Sequence, residues 1–184
     1  MQSGGSRGML SGMNPDPAKV HHLAVLKEKE NFGFRDFIKR RTELSPEEVD
    51  ALVHELTDRV WAGIDCTACA NCCKEVHPTV DEEDMQRLAA RRRMSKEQLI
   101  SEYLQANDDE ENPWRTRKKP CPFLKGNRCS VYEDRPADCR KYPYLQEPDF
   151  VFRTLGMIER TFTCPIVYEV MERLKRATGH RRGR

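Results

Sequence analysis

Apolar residues recur at helical spacing in four stretches of the chain, and each stretch has its own start signal. Ser45-Pro46-Glu47-Glu48 is a capping box with proline at the first helical position. It opens a helix whose apolar set, Val49, Leu52, Val53, Leu56 and Val60, falls on one face, and Gly63 ends it. Thr79 with Glu82 repeats the capping pattern ahead of Met85, Leu88 and Ala89. Ser95 with Gln98 repeats it ahead of Leu99, Ile100, Tyr103 and Leu104. Cys164-Pro165 starts a last helix with Val167, Val170, Met171 and Leu174 on one face. All four stripes read as core.

The pattern changes between the third and fourth helices. Residues 107–113 form an acidic loop, and Lys125-Gly126-Asn127 is the turn of a short β-hairpin. Phe150-Val151-Phe152 and Leu155-Gly156-Met157-Ile158 read as strand. Residues 1–18 are rich in Gly, Ser and Pro and read as a disordered leader. An N-terminal helical segment is expected over 19–62, a cysteine-cluster domain over 63–175 and a basic disordered tail over 176–184. The fold class is a small single α+β domain, mainly helical, around an irregular cysteine-ligated metal centre.

Composition narrows the function. Only 38% of residues are hydrophobic while 34% are charged, so apolar burial needs help from another source. The net charge of +2 exerts no strong pull on nucleic acid, and Arg91-Arg92-Arg93 reads as the solvated side of a helix end. No apolar run approaches the roughly 18 residues of a membrane span. The first residues lack the basic start and apolar stretch of a secretory signal, so the expected location is the cytoplasm. The eight cysteines are about 4% of the chain, too few for a small disulfide scaffold. In a reducing compartment clustered cysteines bind metal or do chemistry rather than pair, which disfavours a disulfide-stapled interaction protein.

The cysteines carry the strongest signal. In Cys66-Thr-Ala-Cys69-Ala-Asn-Cys72-Cys73, two-residue gaps let tight turns aim several sulfurs at one metal. Cys121, Cys129, Cys139 and Cys164 complete the set, so every cysteine is a candidate ligand. Side chains of neighbours diverge in extended backbone, so Cys72 and Cys73 either serve two centres or leave one thiol free and reactive. Two four-cysteine zinc sites would use all eight; one iron–sulfur cluster would use four. The run Cys66 to Cys72 matches the start of the bacterial ferredoxin pattern, for which Cys121-Pro122 and Cys164-Pro165 both offer the final Cys-Pro, although residue 76 is Val. Soft thiolates suit zinc and iron alike. Lys74, Arg128, Arg135, Arg140 and Lys141 flank the cysteines as donors to sulfur, Tyr142 and Tyr144 are expected to cover the site, and His77 is a weaker nitrogen candidate.

The set Cys66-x-x-Cys69-x-x-Cys72-Cys73, CPFL (121–124), Cys129-Ser-Val-Tyr-Glu, RPADCRKYP (135–143) and Cys164-Pro165 resembles the CxxCxxCC family of cysteine-cluster proteins. The resemblance covers about residues 60–168. It implies a zinc- or iron-chelating domain of bacterial type, with all eight cysteines on matching positions. A related group, the flagellin lysine methylases, carries a similar cluster, which leaves open an iron–sulfur-dependent enzyme, an oxidoreductase or a methyl- or group-transfer catalyst. The chain shows no Ser-His-Asp set, phosphate loop or nucleotide fingerprint, so no catalytic residue is named. The expected partner is a metal ion; no membrane or clear nucleic-acid partner is indicated, and a protein partner is not readable.

Overall fold

Two separate hydrophobic cores organise the computed structural model, which describes residues 16–180. The larger core is helical. Helix α1 (Pro17–Arg40) starts at Asp16, whose side chain accepts from the Ala18 N–H, with proline in the first turn. Helix α2 (Pro46–Trp61) has the expected capping box, with both the Ser45 and the Glu48 halves formed. Helices α8 (Phe150–Thr161) and α9 (Pro165–Ala177) complete the group. Phe34, Val53, Val60, Phe150, Met157, Val167 and Leu174 interlock between them.

Helix α8 replaces the strands expected over 150–158. Its buried residues, Phe150, Val151, Thr154, Met157, Ile158 and Thr161, recur at helical period, but that period emerges only over the full 12 residues. Read as two short runs, the aromatic and β-branched content imitates strand. The start signal is also non-local: the Asp50 carboxylate on α2 accepts the N–H groups of Asp149 and Phe150 at 2.8 and 2.9 Å.

The smaller core lies under helices α5 (Glu82–Arg92) and α6 (Lys96–Tyr103) and a three-stranded antiparallel sheet. Strands β1 (Thr79–Val80), β2 (Leu104–Ala106) and β3 (Trp114–Thr116) lie in the order β1-β3-β2, with Arg115 between Thr79 and Gln105. Leu88, Leu99, Leu104, Phe123 and Val131 fill the space beneath. The Ser95–Gln98 box caps α6 as expected. The cap of α5 is Asp81 with Asp84 rather than Thr79 with Glu82, because Thr79 is committed to strand β1. The expected hairpin forms from β4 (Leu124–Lys125) and β5 (Arg128–Cys129), turning at Gly126 with φ 60°. Four short helical turns, described with the site below, link the two cores.

Most of the expected leader and part of the tail, residues 1–15 and 181–184, lie outside the described residues. Residues 178–180 fold back on α9: the His180 N–H donates to the Lys175 carbonyl, and its ring meets Phe34 and Phe37 at 5.3 and 5.1 Å. Among the described residues, no helix is long and apolar enough to cross a membrane.

An ion network clamps α1 to α9. Lys175, 3% exposed, donates to Glu30 and Glu172 at 3.1 and 2.5 Å, and Lys27 pairs with the same two carboxylates at 3.2 Å each. Removing a buried partner strands charge, so Lys175→Ala is expected to lower the unfolding free energy by about 3 kcal/mol. Lys27→Ala, at a wetter position, costs under about 1 kcal/mol in the same denaturant titration. Burial, reinforced by the Lys175 charge, holds the His180 imidazole below its ordinary range. Its neutral form therefore supports the fold above that range, and the support is lost as pH falls through the depressed value. The wild-type melting temperature should fall more steeply with acidification than that of His180→Asn.

Candidate metal centre

The first cysteine run folds as two single-turn helices joined at a kink. Asp65 caps α3 (Cys66–Cys69), accepting the Thr67 N–H at 2.8 Å and its hydroxyl at 2.7 Å. Ala70 then takes a left-handed conformation, φ 49° and ψ 18°, and the chain restarts as α4 (Asn71–Glu75). Cys72 and Cys73 thus sit on consecutive helical positions, not in extended backbone. About 100° separates their side chains around the axis, yet the two thiols lie close enough that each shifts the other's ionisation. The divergence expected from the sequence is only partial.

The remaining cysteines are brought to this turn by backbone and polar ties. The Cys121 N–H donates to the Cys73 carbonyl at 2.7 Å. The β4–β5 hairpin pairs Cys129 with Leu124, and the Asn127 amide reaches back to the Ala68 carbonyl at 3.1 Å. A 3-10 turn (Tyr132–Asp134) leads to helix α7 (Ala137–Lys141), which carries Cys139. Two carboxylates hold α7: Asp84 accepts the Ala137 N–H, and Asp138 accepts the Thr79 N–H at 2.9 Å together with the Tyr144 hydroxyl. Cys164 leads into α9, and the Asn71 amide donates to the preceding Thr163 carbonyl at 2.7 Å.

The result is one cavity of about 390 Å³ lined by all eight cysteines. Ile64 and Ile166 wall it from the side of the helical core, Phe123 and Val131 from the other. Cys164 is buried, Cys66 lies at the exposed rim and the other six are partly covered. Burial pushes the thiols of Cys66 and Cys121 up to about 11, and that of Cys164 up to about 12. Burial likewise raises Cys139. Their close approach raises Cys72 and lowers Cys73, with Lys74 adding to the latter effect. The thiols also feel one another's charge across the cavity: Cys164 that of Cys66 and Cys69, Cys121 and Cys139 those of Cys73 and Cys129, Cys66 those of Cys69 and Cys73, and Cys72 those of Cys73, Cys164 and Cys139. Among the described residues, no three His, Cys, Asp or Glu side chains are preset as the ligands of one ion; the sulfurs ring the cavity instead of meeting at a point.

The donor chemistry fits a soft-metal centre. Cysteine is the commonest residue type in the lining, and the one carboxylate among its described residues, Asp138, is committed to Thr79 and Tyr144. His77 lies outside the lining, its Nδ1 against the Thr116 carbonyl at 2.7 Å. Arg128, Arg135 and Arg140 line the cavity, whereas Lys74 and Lys141 do not. Arg135 lies over the Tyr132 ring at 3.9 Å and donates to the Tyr132 carbonyl, while Arg140 donates to the carbonyls of Arg135 and Glu133. These two arginines brace the wall's backbone, and the Arg135 charge also acts on the Cys129 thiol. Tyr142 lines the cavity with Tyr144 edge-on behind it at 5.9 Å.

Sequence reasoning misses the residues that do the assembling: Asn71, Asp84, Asn127 and Asp138. Only a capping signal at Asp81–Asp84 is locally available, and it points to a helix start, not to α7. Asn71 is partly buried and bridges 92 positions of sequence. Asn71→Ala should therefore lower the unfolding free energy by about 1–2 kcal/mol, whereas Asn127→Ala, in an exposed bond, should cost about 0.5 kcal/mol or less. Denaturant titration of the two variants checks the order.

Residues 65–165, more than half of the chain and all eight cysteines, match the model of a family described as CxxCxxCC, "putative zinc- or iron-chelating domain". No curated protein and no solved structure matches. With the sulfur-walled cavity and the match in agreement, the chain belongs to the CxxCxxCC family.

Proposed function

We propose that this chain is a metal-binding protein that holds zinc or iron, the iron alone or as an iron–sulfur cluster, through its cysteine thiolates. The observation that carries this reading is that all eight sulfurs, drawn from five separate stretches of chain, line one cavity. In this reading the sulfurs serve as two sets of four. Cys66, Cys69, Cys72 and Cys164 form the first; Cys73, Cys121, Cys129 and Cys139 form the second. The Cys121 N–H bond to the Cys73 carbonyl and the Asn71 tie to Thr163 support this division. One member of the adjacent pair, Cys72 and Cys73, then goes to each set.

Bound zinc would supply folding energy, and an iron–sulfur cluster would also offer electron or group transfer. The chain's own part is to gather the thiols, exclude water with Ile64, Phe123, Val131 and Ile166, and offset thiolate charge with Arg128. Because no three ligands are preset among the described residues, a bound metal would have to draw the thiols of the ring together, and so would tighten the junction between the two cores. A reducing compartment such as the cytoplasm suits the reading, since the thiols must stay unpaired.

The test is metal and acid-labile sulfide content of protein purified without oxygen. About two metal centres per chain are expected, with Cys129→Ser and Cys69→Ser each losing about one. A chain carrying neither zinc nor iron, with all its thiols titratable and its melting temperature unmoved by chelators, would overturn the proposal.

A further inference from the structure

Tyr142 stands out among the polar groups around the cavity. It follows α7, its N–H donates to the Asp138 carbonyl at 3.0 Å, and its ring packs against the helical core. Its neighbours are all engaged. The Tyr144 hydroxyl donates to Asp138, and Arg160 lies 4.6 Å over the Tyr144 ring while donating to the Gly156 carbonyl. The Tyr142 hydroxyl, by contrast, is shut off from solvent and finds no hydrogen-bond partner among the described residues. A buried hydroxyl left unpaired is destabilising, so its persistence asks for an acceptor. The cavity it lines is walled by sulfur, and after burial the charges it feels first are those of Cys164 and Cys72.

We propose that Tyr142 is a positioning residue whose hydroxyl donates a hydrogen bond to a metal-bound thiolate of the set containing Cys72 and Cys164. The inference rests on the metal-binding reading above. A thiolate bound to a metal keeps lone pairs and negative charge directed away from the ion, and a fixed donor stabilises that state. The Tyr142 ring is held in place from one side by Tyr144, which is itself fixed by Asp138 and Arg160. The single Tyr142 hydroxyl can serve one set only; the buried, unpartnered Thr116 hydroxyl also lines the cavity, and the Arg135 charge acts on Cys129 of the second set. The effect of Tyr142 is therefore specific to one of the two sets.

Tyr142→Phe keeps the ring and removes only the hydroxyl, so the variant tests the bond without removing the packing. The full chain, wild type and variant, is titrated with zinc and with cobalt(II) in the absence of oxygen. The variant should bind one of its two equivalents about 10-fold less tightly than wild type and leave the other unchanged. Its thiolate-to-cobalt charge-transfer band should move to longer wavelength, because the sulfur lone pair is no longer stabilised. Its metal-free melting temperature should be equal to or above that of wild type. Unchanged affinity and an unshifted band in the loaded variant would overturn the role, as would an equal loss of stability with and without metal. If the wild-type chain takes up neither ion and is also purified without iron, the metal-binding reading fails and the role of Tyr142 fails with it.

Discussion

Eight cysteine sulfurs crowd the boundary between two hydrophobic cores, and each core is modest for a chain in which 34% of residues are charged. Burial resists ionisation of most of these thiols, and their mutual charges resist it further. The boundary is therefore the place where the fold is least satisfied by the amino acids alone. A cation bound there, as proposed, would favour the thiolates, relieve their repulsion and bind the halves together, which is how a structural metal supplies stability to small or polar domains.

The scaffold that produces this arrangement is polar, not apolar. Asp84 and Asp138 hold α7 against α5 and β1, Asn71 ties α4 to the turn before Cys164, and Asn127 ties the hairpin to α3. Each such bond contributes only about 1 kcal/mol, but each fixes a different cysteine-bearing segment relative to the others. Hydrogen bonds are directional, which lets single-turn helices and a two-residue hairpin be placed accurately where little apolar surface is available to do it.

How far the molecule is legible from its sequence depends on the range of each signal. The boxes at Ser45–Glu48 and Ser95–Gln98 act within one helical turn, and both form as expected. The Lys125-Gly126-Asn127 turn is equally local and forms the hairpin. Helix α8 imitates strand in the sequence because its cap is contributed by Asp50, about a hundred positions away, and because its period shows only over its whole length. Thr79 and Asp81 compete for the same cap, and strand pairing with Arg115 decides between them.

At the centre, the sequence alone determined which donors are available: sulfur in quantity, at spacings that match a chelating family. Residue type and close spacing suffice for that, since both are properties of the chain. Only the tertiary structure decided that the eight sulfurs share one cavity, that His77 stays outside it, that Arg135 and Arg140 support backbone, and that the Tyr142 hydroxyl is buried without a partner among the described residues. Those outcomes depend on which distant segments meet, and on where each polar group finds its hydrogen bond once water is excluded. No local pattern encodes that accounting, because the groups that complete it lie tens of residues apart.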